Sequence, residues 1–105
     1  MAEVEALPED VQNKIAAMAL VLEQFGPNLS RPKADTLKGS KHPNMKELRF
    51  KVGRQAWRVA FAFDPEQKGI LLVGGNKQGA NEARFYKELI ATADKRFDEH
   101  LERLE

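Results

Sequence analysis

The stretch LRFKVGRQAWRVAFAF, Leu48 to Phe63, alternates apolar and polar residues on both sides of Gly53-Arg54, the pattern of two β-strands joined by a tight hairpin. A two-residue loop, with glycine supplying the unusual dihedrals of its first position, pairs Val52 with Gln55 and Phe50 with Trp57. The same register sets Arg49 directly opposite Arg58. Like charges facing each other across two strands destabilise the pair, so the register asks for an anion between them. Trp57, Phe50 and their neighbours are predicted to cover the core, while the other face carries the guanidinium groups beside Ala60 and Ala62, which leave an open floor.

Upstream, Val11, Ile15, Met18, Leu22 and Phe25 recur at helical spacing after Pro8, Glu9 and Asp10, and Gly26-Pro27 ends that helix. From Asn28 to Asn44 the chain is basic and turn-forming, with room for a short helical turn around Lys33 to Leu37. Downstream, the turn DPEQKG leads into Ile70 to Val73, apolar on both faces and therefore read as an interior strand. Gly74 and Gly75 follow it and deliver Asn76 and Lys77 at the end of the sheet. A long helix completes the chain, capped by Asn81 and turning Phe85, Leu89, Ala93, Phe97, Leu101 and Leu104 inward.

The 105 residues suit one domain, 1–105, with a single modest core. The absence of cysteine removes disulfides and thiolate metal sites and fits a cytoplasmic protein. The two histidines, His42 and His100, sit in no ligand motif, and no metal or other cofactor is expected. The longest apolar run, Ala16 to Leu22, is too short to span a membrane and follows no basic leader, so neither export nor insertion is expected. The net charge is +1, yet it is unevenly spread: residues 31–58 hold nine lysines and arginines against Asp35 and Glu47. A positive block of that kind marks either a phosphate-bearing partner or a plain solvated face.

Lys46 precedes the hairpin that carries Arg49 and Arg58, Lys77 leaves the third strand, and Arg84 and Tyr86 open the last helix. If the third strand pairs with the second, these ends converge on one patch suited to a phosphodiester. Two arginines hold a phosphate through charge-assisted hydrogen bonds that relieve their own repulsion. RNA brings its own nucleophile, the 2′-hydroxyl, so cleavage by internal attack calls for neither metal nor histidine. Lys46 or Lys77 is conceivable as a base and Tyr86 as a proton relay, although Tyr86, Arg84 and Lys77 equally suit structural or surface roles. Lys38 and Lys41, in the basic loop, divide evenly between binding and surface. On this reading Arg58→Ala removes activity and spares the fold. Arginines that point away from each other, or that Asp and Glu of the same chain neutralise, would sink this reading of the patch.

Four segments, Thr36 to Phe50, Trp57 to Pro65, Ile70 to Lys77 and Arg84 to Leu101, resemble the RelE/HigB-like toxins of bacterial type II toxin-antitoxin modules, in their phage-associated HigB-like branch. The resemblance implies an α+β fold of the RelE/ParE kind: a small twisted antiparallel sheet of three strands, or four, with an N-terminal helix and a long C-terminal helix packed on it. It implies ribosome-dependent mRNA endoribonuclease activity and a HigA-like helix-turn-helix antitoxin, and it is compatible with a dimer or a toxin-antitoxin heterotetramer. Carried over, Arg58, Lys77 and Tyr86 act on the scissile phosphate, Lys46 and Arg49 support it, and Arg84 is a weaker match. Relatives begin with a strand before the first helix. Here only MAEVEAL precedes Pro8, so either the chain starts late or the sheet has an exposed edge that a partner or a second copy covers. A ParE-like inhibitor of DNA gyrase, non-catalytic, is the alternative, followed by an inactive antitoxin-binding or RNA-binding module.

Overall fold

The computed structural model describes residues 4–79 and 81–105. Helix α1 spans Glu9–Phe25, strands β1 to β4 span Ala34–Thr36, Lys46–Val52, Gln55–Phe63 and Gly69–Asn76, and helix α2 spans Glu82–Arg103. The strands form one antiparallel sheet in the order β1-β2-β3-β4. Its centre is the hairpin. Val52 faces Gln55, Phe50 faces Trp57 and Arg49 faces Arg58, as alternation predicts, and Gly53 turns the chain with a φ of 61°.

Period-two alternation sends the two sides of the hairpin to different cores. Leu48, Phe50, Trp57, Val59 and Phe61 pack with Val11, Ile15, Met18 and Leu22 of α1. Ala60 and Ala62 emerge on the other side, where Phe85, Leu89, Ala93 and Phe97 of α2 cover them. The open floor predicted there is therefore closed. Small side chains bring the helix close to the sheet, and each large side chain withdrawn from water contributes about 1.5–3 kcal/mol. The inward stripe of α1 stops a turn early: Phe25 is its last residue and is 52% exposed. At the end of α2, Leu101 is half-buried and Leu104 exposed.

Three sequence expectations about strands are corrected. Residues 34–36 are not a helical turn but the edge strand β1, whose Asp35 faces Glu47 of β2. Ile70 to Val73 belongs to β4, which lies at the other edge rather than inside the sheet. Its apolarity on both faces reports the helices above and below it, not a neighbour on each side. β4 also runs through Gly74 and Gly75 instead of ending before them. A Cβ on Gly74 would stand 3.0 Å from Leu7 Cδ1, so glycine there admits Leu7, two residues before α1.

Of the two edges of the sheet, β1 and β4, the first offers little to a further strand. β1 covers β2, and the two amides of β1 that point away from β2 are already used: Ala34 N–H donates to the Ser30 carbonyl and Thr36 N–H to Asp35 Oδ1. Strand addition at this edge finds few free donors.

Candidate functional site

The site lies on the α2 side, where the sheet outruns the aliphatic part of the helix. Residues 47, 49 and 51 of β2 share this face, and β3 adds Arg58 to it. Gly75, which contributes no side chain, lies opposite Arg58 on β4. α2 begins at the same end because Asn81 Oδ1 caps it by accepting the Arg84 N–H at 3.0 Å. Tyr86 in the next turn then reaches over the sheet.

The anion between the two arginines is Glu47. Its Oε2 lies 3.3 Å from Arg49 Nη1 and its Oε1 3.3 Å from Arg58 Nε. The Tyr86 hydroxyl donates to Oε1 at 2.8 Å and accepts from Arg58 Nε at 3.3 Å. Arg58 Nη1 donates to the Trp57 carbonyl at 2.9 Å. The argument that facing arginines need an external phosphate is thereby overturned, since a buried carboxylate of the same chain serves. Sequence reasoning missed Glu47, although a signal was available: it stands two residues from Arg49, hence on the same face, diagonal to Arg58.

Above this unit opens a cleft of about 340 Å³, walled by Lys38 and Arg31 on one side and Lys77 and Glu82 on the other, with Arg49, Glu47 and Tyr86 in its floor. Lys77 Nζ pairs with Glu82 Oε1 at 2.7 Å and stands 5.5 Å from the centre of the Tyr86 ring. Burial, reinforced by the bond to Glu47, pushes the Tyr86 phenol above its ordinary value of 10.0, so it stays protonated as a donor. The cations act the other way on Glu82: Lys77 first, then Arg58 and Arg49, hold its carboxyl below 4.5.

Lys77, Tyr86, Arg49 and Arg58 thus come together, with Arg58 behind the others at 8% exposure. Lys38 stands at the rim. Three predicted residues do not join them. Lys46 has the opposite parity to Arg49 and points to the α1 side, where Nζ donates to the Pro27 carbonyl at 2.7 Å. Lys41 is bound to Asp98 of α2, away from the cleft. Arg84 faces solvent and pairs with Glu88 along the helix. The histidines are anchored elsewhere, His42 on Asp98 and His100 on Asp64, each 2.8 Å away. Among the described residues no cluster of acidic, histidine or cysteine side chains suits a metal, and no helix is long and apolar enough to cross a membrane.

A helix, a four-stranded antiparallel sheet and a second helix, with cations and a tyrosine gathered at one end, make this an α+β protein of the RelE-like toxin fold. Residues 2–98 match the model of the family described as phage derived protein Gp49-like (DUF891), and the chain belongs to that family. It is 43% identical over 103 residues to "Putative toxin HigB2" of Mycobacterium tuberculosis, an alignment covering 97% of this chain and 51% of that protein. It is 41% identical over 96 residues to "Putative toxin HigB3" of the same organism, covering 91% of this chain and 82% of that one. The chain therefore spans about half the length of the first relative and most of the second. No solved structure matches it at a significant level. It is a HigB-like chain.

Proposed function

We propose that the protein is the toxin of a type II toxin-antitoxin module and that it cleaves mRNA on the ribosome. The observation that carries the reading is an open cleft whose floor offers a carboxylate, a protonated phenol and a half-exposed guanidinium side by side. In the proposed step the 2′-oxygen attacks the adjacent phosphorus and its proton passes to Glu47. The bond from phosphorus to the 5′-oxygen breaks, leaving a 2′,3′-cyclic phosphate. The departing 5′-oxygen takes the Tyr86 proton and ends as a hydroxyl. Arg49 and Lys77 face the charge that develops on the phosphorane, and Arg58 holds Glu47 and Tyr86 in place. Positioned donors of this kind are worth about 100- to 1,000-fold in rate each. The cytoplasmic partner that silences the site is a HigA-like helix-turn-helix antitoxin.

The test is induction of the chain without an antitoxin, followed by mapping of RNA ends and pulse labelling. Protein synthesis should stop first, and new 5′-hydroxyl ends should appear within translated messages. The internal carboxylate shared by both arginines favours a second reading, a binding protein of the ParE kind, because it takes up much of the charge a phosphate would otherwise meet. Early arrest of DNA replication with transcripts intact would establish that one instead.

A further inference from the structure

Each arginine of the cleft, and Lys77, carries a counter-ion from its own chain: Asp35 for Arg31, Glu47 for Arg49 and Arg58, Glu82 for Lys77. These carboxylates are not equivalent. The Glu47 side chain is 5% exposed and is held by two guanidinium groups and a phenol. Removing it would strand two poorly hydrated cations, so it stays. The Glu82 side chain is 67% exposed, sits on the first turn of α2 and pairs with Lys77. The Lys77 side chain is only 23% exposed and keeps its place, whereas water readily takes up the departing carboxylate, so an incoming oxyanion that meets the ammonium exchanges one anion for another at little cost.

We propose that Glu82 is an exchangeable stand-in for a substrate phosphate: it holds the Lys77 ammonium in the free protein and yields it to the RNA backbone, setting affinity without entering the chemistry. The inference rests on the reading of the cleft as an RNA site. Two observations support it. The Glu82 carboxylate lies in the combined field of Lys77, Arg58 and Arg49, which is the field a bound phosphodiester would occupy. The Tyr86 ring, 5.5 Å from Lys77 Nζ, keeps a second attraction on the ammonium once the carboxylate has swung away. Glu88 provides the internal contrast, an exposed carboxylate on the same helix paired with Arg84 outside the cleft.

The experiment titrates the full chain with a 2′-O-methyl oligoribonucleotide, which keeps the phosphodiester backbone and lacks the attacking hydroxyl. NMR shifts of the cleft side chains report weak as well as tight binding. At low salt Glu82→Gln should bind about 3-fold tighter than the parent. Glu88→Gln, with the same change in net charge, should match the parent. In a Lys77→Ala background Glu82→Gln should bring no gain, and the gain with Lys77 present should fade as salt screens the pair. Equal strengthening by Glu82→Gln and Glu88→Gln would overturn the proposal, as would a gain that survives without Lys77. A parent protein that binds the oligonucleotide while Glu82→Gln adds nothing overturns this inference alone. Cleft resonances that never move overturn this inference, while the nuclease reading stands or falls on the RNA ends that appear after induction.

Discussion

Glu47 decides how the site behaves, because one carboxylate serves two guanidinium groups and a phenol. Glu47→Ala leaves Arg58 buried without its counter-charge, and breaking a buried pair in this way costs about 3–5 kcal/mol. The expected result is a midpoint of thermal unfolding lowered by more than about 10 °C, read by circular dichroism. Glu47→Gln also removes the counter-charge but keeps shape and some hydrogen bonding, and it no longer accepts a proton, so a smaller loss of stability than for Glu47→Ala is expected, with cleavage reduced about 100-fold or more. The same network changes the meaning of Arg58→Ala, which sequence alone predicts to spare the fold. Arg58 is buried and bonded to Trp57, Glu47 and Tyr86, so its loss should lower stability as well as activity. Arg49 is the cleaner probe. It lines the cleft with its side chain 22% exposed, and Arg49→Ala should cut cleavage about 100-fold with a much smaller change in melting temperature.

At the scale of elements, the loop from Leu37 to Met45 is strapped to α2 by two carboxylates one turn apart. Asp94 accepts from the Ser40 hydroxyl and the Lys41 amide, while Asp98 takes His42 and the Lys41 ammonium. The strap carries Lys38 to the mouth of the cleft. Asp94→Ala should therefore speed amide hydrogen exchange across residues 38–44 while β2 and β3 keep their protection, a local opening rather than a global one. The strap also shows where legibility ended. The hairpin register, Gly53, the Asn81 cap and the inward faces of both helices could be read because long alternations and periodic stripes repeat their signal. β1 has three residues and follows Pro32, too short a run for alternation to register. Glu47 stayed hidden among its basic neighbours although parity placed it with Arg49, and Lys46 was grouped with Arg49 by closeness in sequence although parity put it on the opposite face. Contacts between distant segments, such as Tyr86 with Glu47, have no local signature at all.

Across the whole molecule, stability should depend on carboxylates that tie distant parts together. Asp64 joins the β3–β4 turn to the end of α2: its Oδ1 accepts from the amides of Glu66 and Lys68, and Oδ2 meets His100. The bond to His100, followed by those amides, holds its carboxyl below the ordinary 3.8. Lys41 and then His42 depress Asp98 in the same direction. A group whose folded value is lowered adds stability above its unfolded value and loses it as pH falls through the folded one. Melting temperature should therefore be steady near neutrality and drop as pH falls below about 4. Asp64→Asn should melt lower at pH 7 and show a shallower decline in acid. An unchanged decline would place the acid sensitivity elsewhere.

The sheet also works as a partition. Because α1 and its apolar partners fill one side and α2 with the cleft occupies the other, the two hydrophobic interiors share backbone but almost no side chains. The outer face of α1, with Asn13, Lys14, Ala17 and Leu20 exposed, can then drift or be randomised in a library, while Val11, Ile15, Met18 and Leu22 hold the helix to the sheet and the upper surface keeps its chemistry. A chain built this way is a chassis: descendants can alter the lower half to meet new companions and inherit the working half intact.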